Sequence, residues 1–252
     1  MPDRTTLIAE MRRAALDAGR LILDIYERGF TAETKADGSP VTEADRLAEA
    51  LILTRLGAAA PDIPVVSEEN AASHALKPPA VFFLVDPLDG TKEFVSRNGE
   101  FTVNIALIEA GTPVLGAVYA PVKDELYWVD AKGRSIEERG GTRAVITARQ
   151  APPEGLLAAV SRSHLDQAST EFLAGYTIAG TISAGSSLKF CLLARGDADV
   201  YPRFGPTNEW DTAAGDAVLR AAGGRMLTPE GEVFGYGKPG YRNGPYVAWG
   251  RA

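Results

Sequence analysis

The chain has 252 residues, 45% of them hydrophobic, enough to fill the core of one large domain or of two small ones sharing an interface. Its formal net charge of −7, from 26 Lys+Arg against 33 Asp+Glu, argues against a protein that coats a nucleic acid polymer or an anionic membrane. A single cysteine, Cys191, rules out an intramolecular disulfide and fits a reducing compartment.

The first residues lack the uninterrupted apolar stretch of a signal peptide, and no window approaches the roughly 18 apolar residues that would span a bilayer. A cytoplasmic protein without an integral membrane segment is expected. Leu7, Ile8, Met11, Ala15, Ala18, Leu21, Ile22 and Ile25 recur at helical spacing and stop at Gly29, which predicts an amphipathic first helix. After the polar, turn-rich TKADGSPVT, Thr42 and Asp45 resemble a capping pair opening a second helix, with Leu47, Leu51, Leu53 and Leu56 as its apolar positions before Gly57 and Pro61. From Ile63 the texture turns to β: PVVSEE, VFFLVD, FTVNIALIEA, TPVLGAVYA and ELYWVD, with Ala110-Gly111-Thr112 as a hairpin connection. ARQAPPEG, residues 148–155, has the composition of a connector. Beyond it strands and helices alternate: LLAAVS, STEFLAGY, YTIAGTIS, SSLKFCLLARG, ADVYPR and DTAAGDAVLRAAGG. This predicts an α/β protein with an α+β unit over residues 1–150 and a layered α/β unit over 151–252, with a ligand cleft between them.

VFFLVDPLDGTKEF carries the most chemistry. A buried strand delivers Asp86 and Asp89 into a Pro/Gly turn, where Gly90 and Thr91 add free backbone N–H groups. Hard oxygen ligands beside amides suit a magnesium ion holding a phosphate. Further acids must converge on such a site, and the candidates are Asp45, Glu68, Glu69 and Asp211. Each also has a plain reading: Asp45 as a helix cap, the glutamate pair as a solvated strand end, Asp211 as the N-cap of a helix running Thr212 to Ala222.

An aspartate, then Glu-Glu, then DPLDGT, then WDTAAG, in this order over nearly the whole chain, resembles the metal-dependent, lithium-sensitive phosphatases, which include inositol monophosphatase and fructose-1,6-bisphosphatase. The resemblance implies their layered αβαβα sandwich. DPLDGTKEFVSRNGEFTVNIALIEAGTPVLGAVYAP with EWDTAAGDAVLRAAGG looks most like the bacterial 3'(2'),5'-bisphosphate nucleotidase branch of sulfate assimilation, and Lys92 after Thr91 belongs to that likeness. By resemblance, Glu68, Asp86 and the Leu88 carbonyl would hold one Mg²⁺, and Asp86, Asp89 and Asp211 a second. Asp45 would sit outside them or help a loosely bound third ion. The Gly90 and Thr91 amides would hold the scissile phosphate, and Thr91 with Glu68 would orient the attacking water. The implied reaction removes the 3'-phosphate of adenosine 3',5'-bisphosphate, giving AMP, with the sulfated analogue as a further substrate. An inositol monophosphatase or sugar bisphosphatase is the alternative, because the metal residues are shared.

A substrate with two phosphates needs a second anion site. Ser186 and Lys189 at a helix start, Arg203 near the distal phosphate and His164 near the base or ribose are the candidates that the same resemblance implies. Ser186 as an ordinary N-cap and Lys189 on a solvated face are their plain readings. The resemblance leaves open a monomer or a homodimer, and attachment to the cytoplasmic face of the inner membrane.

Overall fold

The computed structural model describes residues 2–35, 38, 40–162 and 166–251. The Asp3 carboxylate accepts the Thr6 N–H at 2.9 Å and starts helix α1, Arg4–Arg28, which ends at Gly29 as its apolar spacing predicts. A short antiparallel pair follows, β1 (Ala32–Thr34) and β2 (Pro40–Thr42). Thr42 and Asp45 then form the predicted reciprocal cap of α2, Glu43–Ala59: the hydroxyl accepts the Ala44 N–H at 3.1 Å and the carboxylate accepts the Thr42 N–H at 2.7 Å. The apolar face of α2 differs from the expected leucine stripe. Leu47 is 45% exposed, and the core takes Ala44, Ala48, Ile52 and Leu56. Small residues at 44 and 48 let the helix lie close, which a leucine stripe would prevent.

Seven strands then pair in chain order: β3 (Val65–Ser67), β4 (Val81–Asp89), β5 (Thr102–Glu109), β6 (Thr112–Ala120), β7 (Glu125–Val129), β8 (Ser135–Arg139) and β9 (Thr142–Val145). Only β3 and β4 run parallel. Ala110 and Gly111 join β5 to β6 with φ of 48° and 76°, the left-handed pair a two-residue hairpin demands. A five-residue helix, α3 (Thr91–Val95), separates β4 from β5.

The second sheet holds β10 (Leu156–Ser161), β11 (Ile178–Ala184), β12 (Val200–Arg203), β13 (Arg225–Leu227) and β14 (Tyr246–Trp249) in the order β11-β10-β12-β14-β13. Helices α4 (Gln167–Ala174), α5 (Leu188–Arg195) and α6 (Glu209–Ala221) alternate with these strands.

Strand periodicity builds the layers. On β6, Tyr119 faces α1, where a Cβ at Gly19 would come within 2.3 Å of its ring; Gly116 points the other way, where a Cβ would lie 2.5 Å from the Ala214 carbonyl of α6. In the second sheet Ala158, Val160 and Val200 pack with Leu173 of α4, whereas Tyr201 and Tyr246 turn their rings to Phe190 of α5. The result is an αβαβα sandwich, as the resemblance implied, with α5 and α6 between the sheets.

Candidate active site

The acidic loop owes its geometry to a bulge. In the β4–β5 ladder Asp86 pairs with Asn104 and Asp89 with Thr102, so Pro87 and Leu88 stand opposite Val103 alone. Strand alternation would send residues three apart to opposite faces; the extra residue brings both carboxylates into one cleft. Asp86 accepts the Leu88 N–H at 3.0 Å, closing the turn. Gly90, at φ 92°, then opens α3 in a left-handed conformation that disfavours any side chain.

Glu68 enters from the end of β3, its N–H bonded to the Val85 carbonyl at 3.1 Å, and Asp211 from the first turn of α6. Carboxylate oxygens of Glu68, Asp86 and Asp211 lie within 4.8 Å of one another. Asp211 is not the N-cap its sequence context suggests. Asn208 caps α6, and Asp211 sits three residues further, where one oxygen accepts the Asn208 N–H at 2.7 Å. Burial, then the charges of Glu68, Asp89 and Asp211, raise Asp86 well above the ordinary aspartate range; burial, then Asp89 and Glu68, do the same to Asp211. Burial also raises Asp89, against the pull of the Lys189 charge and of hydrogen bonds from Asn104 and Ser187.

Asp89 is held from behind. Its Oδ2 accepts the Ser187 N–H at 2.7 Å and the Asn104 amide at 3.1 Å. Asp45 lies one step away: Oδ2 closes the cap of α2, and Oδ1 accepts the Thr91 hydroxyl at 3.1 Å, while the Leu88 carbonyl stands 3.3 Å from the same hydroxyl. Burial raises Asp45, opposed by its bonds to Thr42.

Lys35 joins the site unannounced by the sequence, its ammonium 2.8 Å from Glu68 and 2.5 Å from Glu69. Burial alone would lower its pKa; the two glutamates raise it. For Glu69 burial outweighs the Lys35 hydrogen bond and pushes the carboxyl up to about 7.

A cavity of about 610 Å³ is lined by Glu68, Asp86, Asp89 and Asp211 together with Ser186, Lys189 and Arg203. Leu88, Gly90 and Thr91 line it too. Two plain readings are corrected. Ser187, not Ser186, stands at the N-cap of α5, and Ser186 takes φ 44° with its hydroxyl buried and unpartnered. Lys189 is not on a solvated face: it is 3% exposed, with its ammonium 2.6 Å from the Ser186 carbonyl and 3.1 Å from that of Ala184. Burial pushes it down to about 8, with Asp89 opposing. Arg203 donates to the Pro206 carbonyl at 3.2 Å. His164 lies outside the described residues. His74 bonds the Ser67 carbonyl at 2.8 Å and stacks on Trp210 at 4.6 Å, tying the Glu68 strand end to α6.

Lys35, Asn104 and Ser187 escape a reading of the sequence. Asn104, a lone amide inside the apolar run FTVNIALIEA, is the one with a visible signal, because a buried amide needs partners.

Acids that repel one another beside a glycine turn and a buried lysine form a site that could hold a metal ion, and the class such a site fits is that of the phosphatases. Within that class the chain belongs to the inositol monophosphatase family, whose profile it matches over residues 3–250. It is 48% identical over 233 residues to the 3'(2'),5'-bisphosphate nucleotidase CysQ of Salmonella typhimurium, covering 91% of this chain and 94% of that protein. The CysQ of Escherichia coli K12 is 46% identical over the same shares. The crystal structure of CysQ from Bacteroides thetaiotaomicron superposes with a TM-score of 0.85 at 37% identity, covering 99% of this chain and 98% of that one. An inositol monophosphatase from Zymomonas mobilis gives 0.78 at 26% identity, over 97% and 92%.

Proposed function

We propose that this chain is a cytoplasmic, Mg²⁺-dependent phosphatase that converts adenosine 3',5'-bisphosphate to AMP and inorganic phosphate, and the sulfated analogue PAPS to APS, in sulfate assimilation. The observation that carries the reading is one cavity lined by four acids and also by two cations, Lys189 and Arg203. A two-phosphate substrate fits that polarity: one phosphate at the acids through bound metal, the other at the cations.

The donor set is made of carboxylate and carbonyl oxygens, which suits magnesium. Glu68, Asp86 and the Leu88 carbonyl would hold one ion, and Asp86, Asp89 and Asp211 another, with Asp45 beside a third. Bound ions lower the pKa of coordinated water from about 15.7 towards 7 and neutralise charge on the phosphoryl oxygens. The chain supplies position and a proton path. The Thr91 hydroxyl donates its hydrogen bond to Asp45, so its oxygen would accept a hydrogen bond from the water, which it would orient together with Glu68. The Gly90 and Thr91 amides would take phosphate oxygens. Attack on phosphorus would break the bond to the ribose 3'-oxygen; of the water's two hydrogens one ends on that oxygen, completing AMP, and the other leaves with the water oxygen in inorganic phosphate.

The test compares kcat/KM for adenosine 3',5'-bisphosphate and inositol 1-phosphate with Mg²⁺. A preference of about tenfold or more for the nucleotide, roughly 1.4 kcal/mol, is expected. The reverse preference would move the chain to the inositol phosphatase branch; no turnover of either would end the phosphatase reading.

A further inference from the structure

Asn104, fully buried and opposite Asp86 in the ladder, lies where three segments meet. Its Nδ2 donates to Asp89 Oδ2 at 3.1 Å and to Ser187 Oγ at 2.9 Å, 83 residues away in sequence. Ser187 passes the chain on, donating its hydroxyl to the Asp211 carbonyl at 2.8 Å and its N–H to Asp89 Oδ2 at 2.7 Å. The end of this relay fixes its direction. A carbonyl only accepts, so the Ser187 hydroxyl must donate there and accept from Asn104, which turns the amide nitrogen towards both partners. The amide oxygen is left buried without a partner. A residue needed only for its volume would not carry that cost, since leucine fills similar space with no polar atom to satisfy.

We infer that Asn104 and Ser187 are positioning residues that make Asp89 a one-oxygen metal ligand and fix Asp211 at a set distance from it, an inference that rests on the metal-dependent reading above. With Ser187, Asn104 and, at 3.4 Å, Thr102 all directed to Oδ2, that oxygen has its lone pairs filled. Only Oδ1 is left for an ion. One-oxygen ligation suits the small octahedral Mg²⁺, whereas Ca²⁺ accepts two-oxygen carboxylates and loose geometry. The relay therefore sets ion selectivity as well as affinity.

The experiment is calorimetric titration of Mg²⁺ and, separately, Ca²⁺ into the metal-stripped full chain, without substrate, for the parent, Asn104→Leu, Ser187→Ala and the double variant. Each single change should raise the Mg²⁺ dissociation constant about tenfold or more, with a smaller change for Ca²⁺. The double variant should be little worse than the weaker single one, because both break one relay. Should Asn104→Leu not fold, Ser187→Ala, which keeps the main-chain N–H to Asp89, carries the test. A folded variant with Mg²⁺ affinity within twofold of a binding parent, or equal losses for both ions, overturns the positioning role alone. A parent that binds neither ion overturns the metal-dependent reading as well.

Discussion

Thr91 shows how much one hydroxyl can be asked to do. With its hydroxyl donating to Asp45 at 3.1 Å and the Leu88 carbonyl 3.3 Å away, it links an acid from α2 to the end of β4. Thr91→Val keeps the shape and removes the proton path, so kcat should fall by about 10²–10⁴ while the Mg²⁺ concentration for half-maximal rate stays close to the parent's. Initial rates across a Mg²⁺ series decide it; a valine variant with more than a tenth of the parent's kcat would take Thr91 out of the proton path. Residues of this kind are legible where the chemistry is contiguous. DPLDGT and EWDT announce their acids because a turn and a helix start each gather them locally. Asn104 and Ser187 make their contacts across 83 residues, and Lys35 meets Glu68 across 33, so no local pattern carries them.

Among the elements, α6 does the most, placing Trp210 against His74 and Asp211 within the acid cluster while its flank lies on β6. That contact has no slack. A Cβ at Gly116 would fall 2.5 Å from the Ala214 carbonyl and 2.8 Å from the Ala217 Cβ, both rigid parts of the helix. Gly116→Ala should cost about 1–3 kcal/mol, which for a chain of this size lowers Tm by roughly 2–12 °C in a thermal melt. An unchanged Tm would mean that α6 can lift away from β6 freely. Helix ends marked by a local signal were readable: Gly29 stops α1, and Thr42 with Asp45 opens α2. Faces were less so, since Leu47 points to solvent where alanines enter the core. Strands β8 and β9 hide in a charged stretch, with Gly140 and Gly141, at φ 53° and 76°, as their one local sign.

At the scale of the whole molecule, the mutual repulsion of the acid cluster opposes the fold. Asp86 and Asp211 sit well above the ordinary range, Asp89 and Asp45 are raised, and Glu69 reaches about 7. A carboxyl with a folded pKa above its unfolded value binds protons more tightly when folded, so stability falls as pH rises from about 4 through the folded values. Asp199, Asp130 and Glu138 shift the other way, burial being outweighed by hydrogen bonds and charge that include those of Arg149, Arg134 and Arg143 respectively, and their support is lost only in acid. The Tm gain on adding Mg²⁺ to chelator-treated protein should therefore grow between about pH 5 and pH 8. A gain that is flat with pH would separate metal binding from these carboxyls. The layering could be inferred from resemblance, but the order β11-β10-β12-β14-β13 could not, because β14 reaches its place between β12 and β13 from the far end of the chain. One apolar cluster runs from Leu7 of α1 to Ala248 of β14, and α6 covers a face of the first sheet although it is made from the second half of the sequence. Severing the chain between Val145 and Leu156 would thus yield two fragments with bare apolar surfaces, each fitted to hide the other's, so that the polypeptide matures as a unit and the halves could regain shape only by finding one another.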